Sequence, residues 1–269
     1  MRALLNNVFL KSLRDQRRSL LGWGLGLVAV NAVIMAFYPS IAGATEFDEL
    51  FKQMPEALAN LFLGQVSDLT SPEGYLNSQL FVLFLPLLFI IFTVAWGSGA
   101  IAGEEDRGTI ELILSYPLMR WRLVAEKFAA MFVAVLVLSV VSWLSLVIGA
   151  IAVDMDIGLG RLAEVTLSVT LLGVAFGTFA LALGSATGKR GVSIGLASAT
   201  GVIAYLWNGL APVIDILEPT TKLSPFYYYI GADPLSNGLD FVHVVVLIGL
   251  ITALLAVAVV TFQRRDLQI

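Results

Sequence analysis

Apolar positions along the chain gather into six long runs, separated by shorter segments that hold most of the charge and several of the prolines. The runs cover about residues 20–38, 79–101, 124–153, 162–186, 192–214 and 241–262. The first contains no charged residue; as a helix rising ~1.5 Å per residue it is roughly 29 Å long, the thickness of a hydrocarbon core. No Asp, Glu, Lys, Arg or His lies near the middle of any run. The pattern predicts an all-α membrane protein, a single domain of six transmembrane helices over 20–269. Pro86 interrupts the second run, which is tolerated where neighbouring helices satisfy the freed carbonyl.

The segments between the runs have their own patterns. In residues 1–19, Leu4, Leu5, Val8, Phe9 and Leu13 recur at helical spacing, while Lys11, Arg14, Arg17 and Arg18 fall mostly on other faces. A basic amphipathic helix of this kind lies in the membrane interface. Ala42-Gly-Ala44 resembles a cleavage site, but the basic and apolar regions before it are too long for a signal peptide; an uncleaved first helix is expected. The loop 39–78 holds six acids against Lys52 alone. It predicts two short amphipathic helices packed at the interface: one starting at Thr45 with Phe47, Leu50, Phe51 and Met54 on one face, the other Pro55–Leu63, stopped by Gly64. The second long loop, 215–240, is also acidic.

Charge sets the orientation. The segment 1–19, the loop 102–127, the turn 188–190 and the tail hold 13 of the 16 lysines and arginines. The positive-inside rule places these segments, and both termini, in the cytoplasm. Composition agrees: 58% hydrophobic and 13% charged, against roughly 25% charged in soluble domains. The absence of cysteine rules out disulfides and thiolate metal sites, and no basic stripe suggests nucleic acid. Uncharged spans argue against an ion-coupled carrier. Gly184-Ser-Ala-Thr-Gly188-Lys189-Arg190 falls short of a phosphate-binding loop, with three residues between its glycines and no hydroxyl after the lysine. Gly22/Gly26, Gly99/Gly103, Gly173/Gly177, Gly184/Gly188 and Gly191/Gly195 are spaced for close helix packing, mainly within one bundle. No constellation of side chains suits catalysis, a cofactor or a metal.

The loop 102–123 is the densest run of charge in the chain. Glu104, Glu105 and Asp106 suit a solvated helix start, and Ile110, Ile113 and Leu114 then form a short apolar face until Pro117 ends the helix. Such a face fits a protein partner, an interfacial helix or a locally packed loop.

The run from Ile101 to Lys127 resembles the signature between spans two and three of type-2 ABC transporter permeases. The resemblance lies in Glu104/Glu105, the Gly108-Thr109 step, Glu111-Leu112, the Leu114-Ser115-x-Pro117 break, Arg120 and Lys127. It continues more weakly in Pro72-Glu-Gly-Tyr75 and in Phe262-Gln-Arg-Arg-Asp266. It implies the transmembrane subunit of an exporter in the cell membrane (the cytoplasmic membrane of a prokaryote). That subunit would pair with a second permease copy or a paralogue and with two separate ATP-binding subunits, which hold the ATP and magnesium. Segment 104–115 would be the coupling helix and 1–19 the elbow helix beside it. The implied ATPase-coupling residues are Glu104, Glu105, Arg107, Gly108, Thr109, Ile110, Glu111, Leu112, Ile113, Leu114, Pro117 and Arg120. The apolar spans suit a hydrophobic drug, lipid or peptide as cargo. A membrane scaffold or mechanical partner of an ATPase, passing no cargo, fits the same residues.

Overall fold

A computed structural model describes residues 8–42, 54–63, 70–110 and 119–265. The described residues are helical and contain no strand. The elements are α1 (Val8–Ile41), α2 (Glu56–Phe62), α3 (Pro72–Ala100), α4 (Ala102–Asp106), α5 (Arg120–Ala152), α6 (Leu159–Thr187), α7 (Arg190–Leu210), α8 (Pro225–Ile230) and α9 (Phe241–Arg264). Six of these, α1, α3, α5, α6, α7 and α9, are long and apolar enough to cross a membrane.

Two boundaries differ from the hydrophobic pattern. The second span begins at Pro72, seven residues before the apolar run, because Ser71 and Pro72 make a helix start. The Ser71 hydroxyl accepts the Gly74 amide at 3.1 Å, and proline in the first turn has no amide to leave unpaired. The first span has no boundary at Ser19–Leu20. No glycine or proline stands between Val8 and Leu21, so residues 8–19 of the basic segment and the apolar run form one 34-residue helix. At ~1.5 Å per residue it is about 51 Å long, well beyond a hydrocarbon core of ~30 Å. The helix expected from Thr45 falls outside the described residues; the second short helix is present as α2 and packs on α7, where Leu61 lies against Gly209 and the Tyr205 hydroxyl donates to the Leu61 carbonyl.

The bundle is organised around α6. It packs against α3, α5, α7 and α9, and 89% of its most apolar stretch is buried, against 17% for α1 and α9. The tightest crossing is with α3. A Cβ on Gly97 would lie 2.1 Å from the Gly177 carbonyl oxygen, and one on Gly177 would lie 2.7 Å from Thr93 Cβ. The two backbones touch because neither glycine has a side chain. In α3, residues Asn77–Phe81 form a π-helical turn, with the Val82 amide reaching back to the Asn77 carbonyl at 2.8 Å. Beside it the fully buried Tyr229 hydroxyl donates to the Phe81 carbonyl at 2.7 Å. A neighbouring element thus supplies a partner where the helix ladder is irregular, as lipid cannot.

The edge helix α1 rests mainly on α5. Asn31, fully buried, fixes that contact: its Nδ2 donates to the Ser142 hydroxyl at 3.1 Å, the Ser145 hydroxyl at 2.7 Å and the Ser142 carbonyl at 3.3 Å.

Candidate functional site

The predicted coupling residues begin where α3 turns into α4. Glu104 and Glu105 donate no amide to the α3 ladder; both amides return to the Ile101 carbonyl, at 2.9 and 3.1 Å, starting a new turn. That turn closes at Gly108, whose φ of +66° places it in the left-handed region open to glycine. Its amide donates to the Glu105 carbonyl at 2.8 Å, and the Thr109 amide donates to the Glu104 carbonyl at 2.9 Å. The Gly108-Thr109 step is therefore a helix stop. Thr109 also directs its hydroxyl to the Glu104 carboxylate.

Glu104 is not a solvated helix start. It is 8% exposed and pairs with Lys127 of α5, itself 7% exposed, at 2.8 Å. Burial alone would raise the Glu104 carboxyl, but hydrogen bonds from Lys127 and Thr109, with the charges of Lys127 and Lys11, bring it down to about 2. A carboxylate held this firmly is a structural post. Its neighbour Glu105 pairs with Arg265 after α9. Arg265 also donates to the Ser185 carbonyl at 2.9 Å, and Gly188, with φ of +66°, lies against the Glu105–Arg265 pair. The sequence that falls short of a phosphate loop is thus a glycine-closed turn between α6 and α7.

Arg120 opens α5 and reaches the end of α9, donating to the Arg265 carbonyl at 2.8 Å and lying 5.9 Å above the Phe262 ring. It satisfies a carbonyl that a helix terminus leaves free. Glu126 accepts the Phe9 amide at 3.3 Å and Arg122 Nε at 2.7 Å, joining the start of α1 to α5. Beneath these polar ties lies a separate apolar cluster that includes Val8, Ile101, Ile110, Leu123, Leu181 and Phe262. The described starts of α1 and α5, the corner at α4 and the end of α9 therefore meet at one end of the bundle.

Ile110, expected on the docking face, is 7% exposed and turned into this cluster. Asp106, Arg107 and Gly108 are exposed. Glu111, Leu112, Ile113, Leu114 and Pro117 lie outside the described residues. Reading the loop alone missed the partners that complete the corner: Lys127, Arg265 and Glu126. Lys127 had a visible signal, as the last charge before the long uncharged run of α5. Arg265, 160 residues from Glu105, stands in the Phe262–Asp266 exit that carries the weaker part of the resemblance, but nothing in the sequence paired it with Glu105.

Comparison with known proteins bears on the same region. Residues 6–267 match the family model described as ABC-2 family transporter protein. The chain is 25% identical over 215 residues to the "Probable ABC transporter permease protein NosY" of Stutzerimonas stutzeri, covering 78% of this chain and 68% of that protein. Six membrane-crossing helices and a match along nearly the whole chain agree: this is a multi-pass membrane protein, the permease subunit of an ABC transporter, and it belongs to the ABC-2 family.

Proposed function

We propose that the chain forms the translocation path of an ATP-driven exporter, as a pair of permease copies joined to two separate ATP-binding subunits. The charged end of the bundle faces the cytoplasm. The segment 104–115 seats on the ATP-binding subunit, its docking surface running from the exposed Asp106–Gly108 turn into residues 111–115. Ile110 anchors that surface to the bundle and takes no part in contact with the partner. Cargo is apolar, in keeping with the uncharged spans, and the energy comes from nucleotide on the partner.

The observation that carries this reading is the pinned corner. Glu104 and Glu105 are tied to α5 and to the end of α9 on either side of an exposed turn. Displacement of the turn by a partner is thereby passed to three spanning helices, which an interfacial helix would not require. Cargo that prefers one arrangement of those helices changes the partner's affinity for nucleotide by the same factor as nucleotide changes the affinity for cargo.

The test is a mild-detergent pull-down of the tagged chain from its native membrane, with identification of partners and an ATPase assay on the eluate. A stoichiometric partner bearing a phosphate-binding loop, with magnesium-dependent ATP hydrolysis, is expected. Glu111→Lys and Ile113→Asp should lose that partner while the chain stays folded; wild-type recovery with both would remove segment 104–115 as the docking element. Cargo-stimulated ATP hydrolysis in proteoliposomes tests transport itself.

A further inference from the structure

At the charged end, α1, α3, α4, α5 and α7 enclose a cavity of about 410 Å³. Its wall carries four cationic side chains, Lys11, Arg107, Lys127 and Arg190, against two carboxylates, Asp15 and Glu104. Glu104 is already matched by Lys127 at 2.8 Å and Arg107 at 3.7 Å. Lys11 and Arg190 make no ion pair among the described residues, so the cavity has an excess of positive charge. Arg190 lies along the α3–α4 corner, in van der Waals range of Gly99 and Gly103: Cβ atoms built there would lie 3.8 and 3.7 Å from its side chain.

A second, independent observation points to an occupant. Ser12 lines the cavity, is 7% exposed, and its hydroxyl has no hydrogen-bond partner among the described residues. Buried hydroxyls are ordinarily satisfied, so this one has a donor and lone pairs to offer to whatever enters. A cation is disfavoured by the four positive side chains. An anion with several oxygens can take the guanidinium of Arg190, the ammonium of Lys11 and the Ser12 hydroxyl together.

We propose that this cavity binds a phosphate ester, with Arg190 and Lys11 pairing with its charge and Ser12 donating to one oxygen. The ester has two sources: the headgroup of an anionic phospholipid or a soluble ester from the cytosol. The lipid source has structural support, since Ser12, Gln16, Ser19, Trp23, Gly26 and Val30 follow one another along a single stripe of α1. The upper part of that stripe, with Leu88 of α3, lines an apolar groove of about 460 Å³. A headgroup in the cavity could thus place an acyl chain in the groove. Helices α1, α3 and α5, which meet at the pinned corner, also supply walls of the cavity, so occupancy would bias their arrangement. Binding itself is independent of how the ATPase docks, and is read on the permease alone.

The test uses the full chain purified in detergent, with native mass spectrometry of retained lipid. Phosphatidylglycerol is compared with diacylglycerol of the same tails, and sn-glycerol 3-phosphate is titrated separately. Retention of phosphatidylglycerol over diacylglycerol is expected, falling about tenfold in Arg190→Gln and in Lys11→Gln, the loss of one charge-assisted hydrogen bond each. Ser12→Ala should reduce it severalfold, and Lys222→Gln, at the opposite end, should leave it unchanged. If glycerol phosphate binds with the same sensitivity to the variants and the lipid shows no preference, the soluble ester is the ligand. Wild-type retention in Arg190→Gln and Ser12→Ala, each eluting as a folded species, would overturn the proposal; so would the binding of neither ligand.

Discussion

The most apolar stretches of α1 and α6 have the same mean hydropathy, yet 89% of that of α6 is buried and only 17% of that of α1. Hydropathy assigns a segment to the membrane, and in lipid it has little to say about position within the bundle, because lipid tails are as apolar as leucine. What separates the two helices is their small and hydroxylated residues. α6 places Thr166, Ser168, Thr170, Gly173, Gly177, Thr178 and Ser185 in its buried faces. Its threonine hydroxyls return to their own backbone, as Thr166 does to Leu162 at 2.6 Å, or cross to a neighbour, as Thr170 does to Ser139 at 2.8 Å. On α1, Leu21, Leu25, Val33 and Phe37 face outward, and a few polar ties hold it inward: Asn31 to Ser142 and Ser145, the Phe9 amide to Glu126, and the Tyr75 hydroxyl to the Ile34 carbonyl. A central helix is specified by close approach, an edge helix by a few polar anchors.

The most damaging way to break this contrast is to fill the glycine crossing. Gly97→Leu should abolish the folded bundle, because its side chain must displace the Gly177 backbone rather than a flexible neighbour. Fluorescence-detected size-exclusion chromatography should show loss of the monodisperse peak. Gly22→Ala and Gly26→Ala on α1, where a Cβ meets nothing within 4 Å, should leave the peak and its melting temperature unchanged. Equal damage in both helices would remove the distinction.

Next in size is Lys127→Ala, which leaves Glu104 buried without its main partner. Removing one member of a buried pair costs on the order of 3 kcal/mol, readable as a lower thermal midpoint. Glu104→Gln with Lys127→Met should recover part of it.

The same pair sharpens the comparison through pH. The Glu104 carboxyl is brought down from 4.5 to about 2. The stabilisation it gives is therefore fully present above pH 4.5 and is lost as pH falls through 2. Thermal midpoints taken across that window should fall more steeply for the wild type than for Glu104→Gln; parallel curves would mean that Glu104 is not held in this way.

The smallest effect belongs to Asn31→Leu. Three donated hydrogen bonds disappear, but so does an Oδ1 with no partner among the described residues. A loss of about 1 kcal/mol is expected, seen as faster hydrogen exchange in α1 and α5 with the remaining spans unchanged.

Six spans and their rough limits were legible because each apolar run is long and bounded by charge or by helix-stopping residues. The missed boundaries had local causes. The serine–proline start at Ser71–Pro72 lies in sequence that is polar, and hydropathy cannot detect it. The absence of a break at Ser19 was legible, since no glycine or proline stands there, but the change from basic to apolar composition suggested two elements. At the site, the Gly108-Thr109 step and the acids were visible, while their roles were not. Whether Glu104 faces water or Lys127 depends on how α3 and α5 pack, and the return of Arg265 to Glu105 and the α6–α7 turn is set by the path of the whole chain. Ile110 shows the limit of helical spacing: the i, i+3, i+4 pattern marks an apolar face but does not say whether the partner is another protein or the same chain.

The Glu104–Lys127 and Glu105–Arg265 pairs make the α3–α4 corner a braced joint. Three struts, α3, α5 and α9, meet there, and none can be tilted alone without opening an ion pair or exposing the apolar cluster beneath. In the proposed coupling, a push on the turn at Asp106–Gly108 would therefore load all three struts together, because each ion pair ties the corner to a different helix.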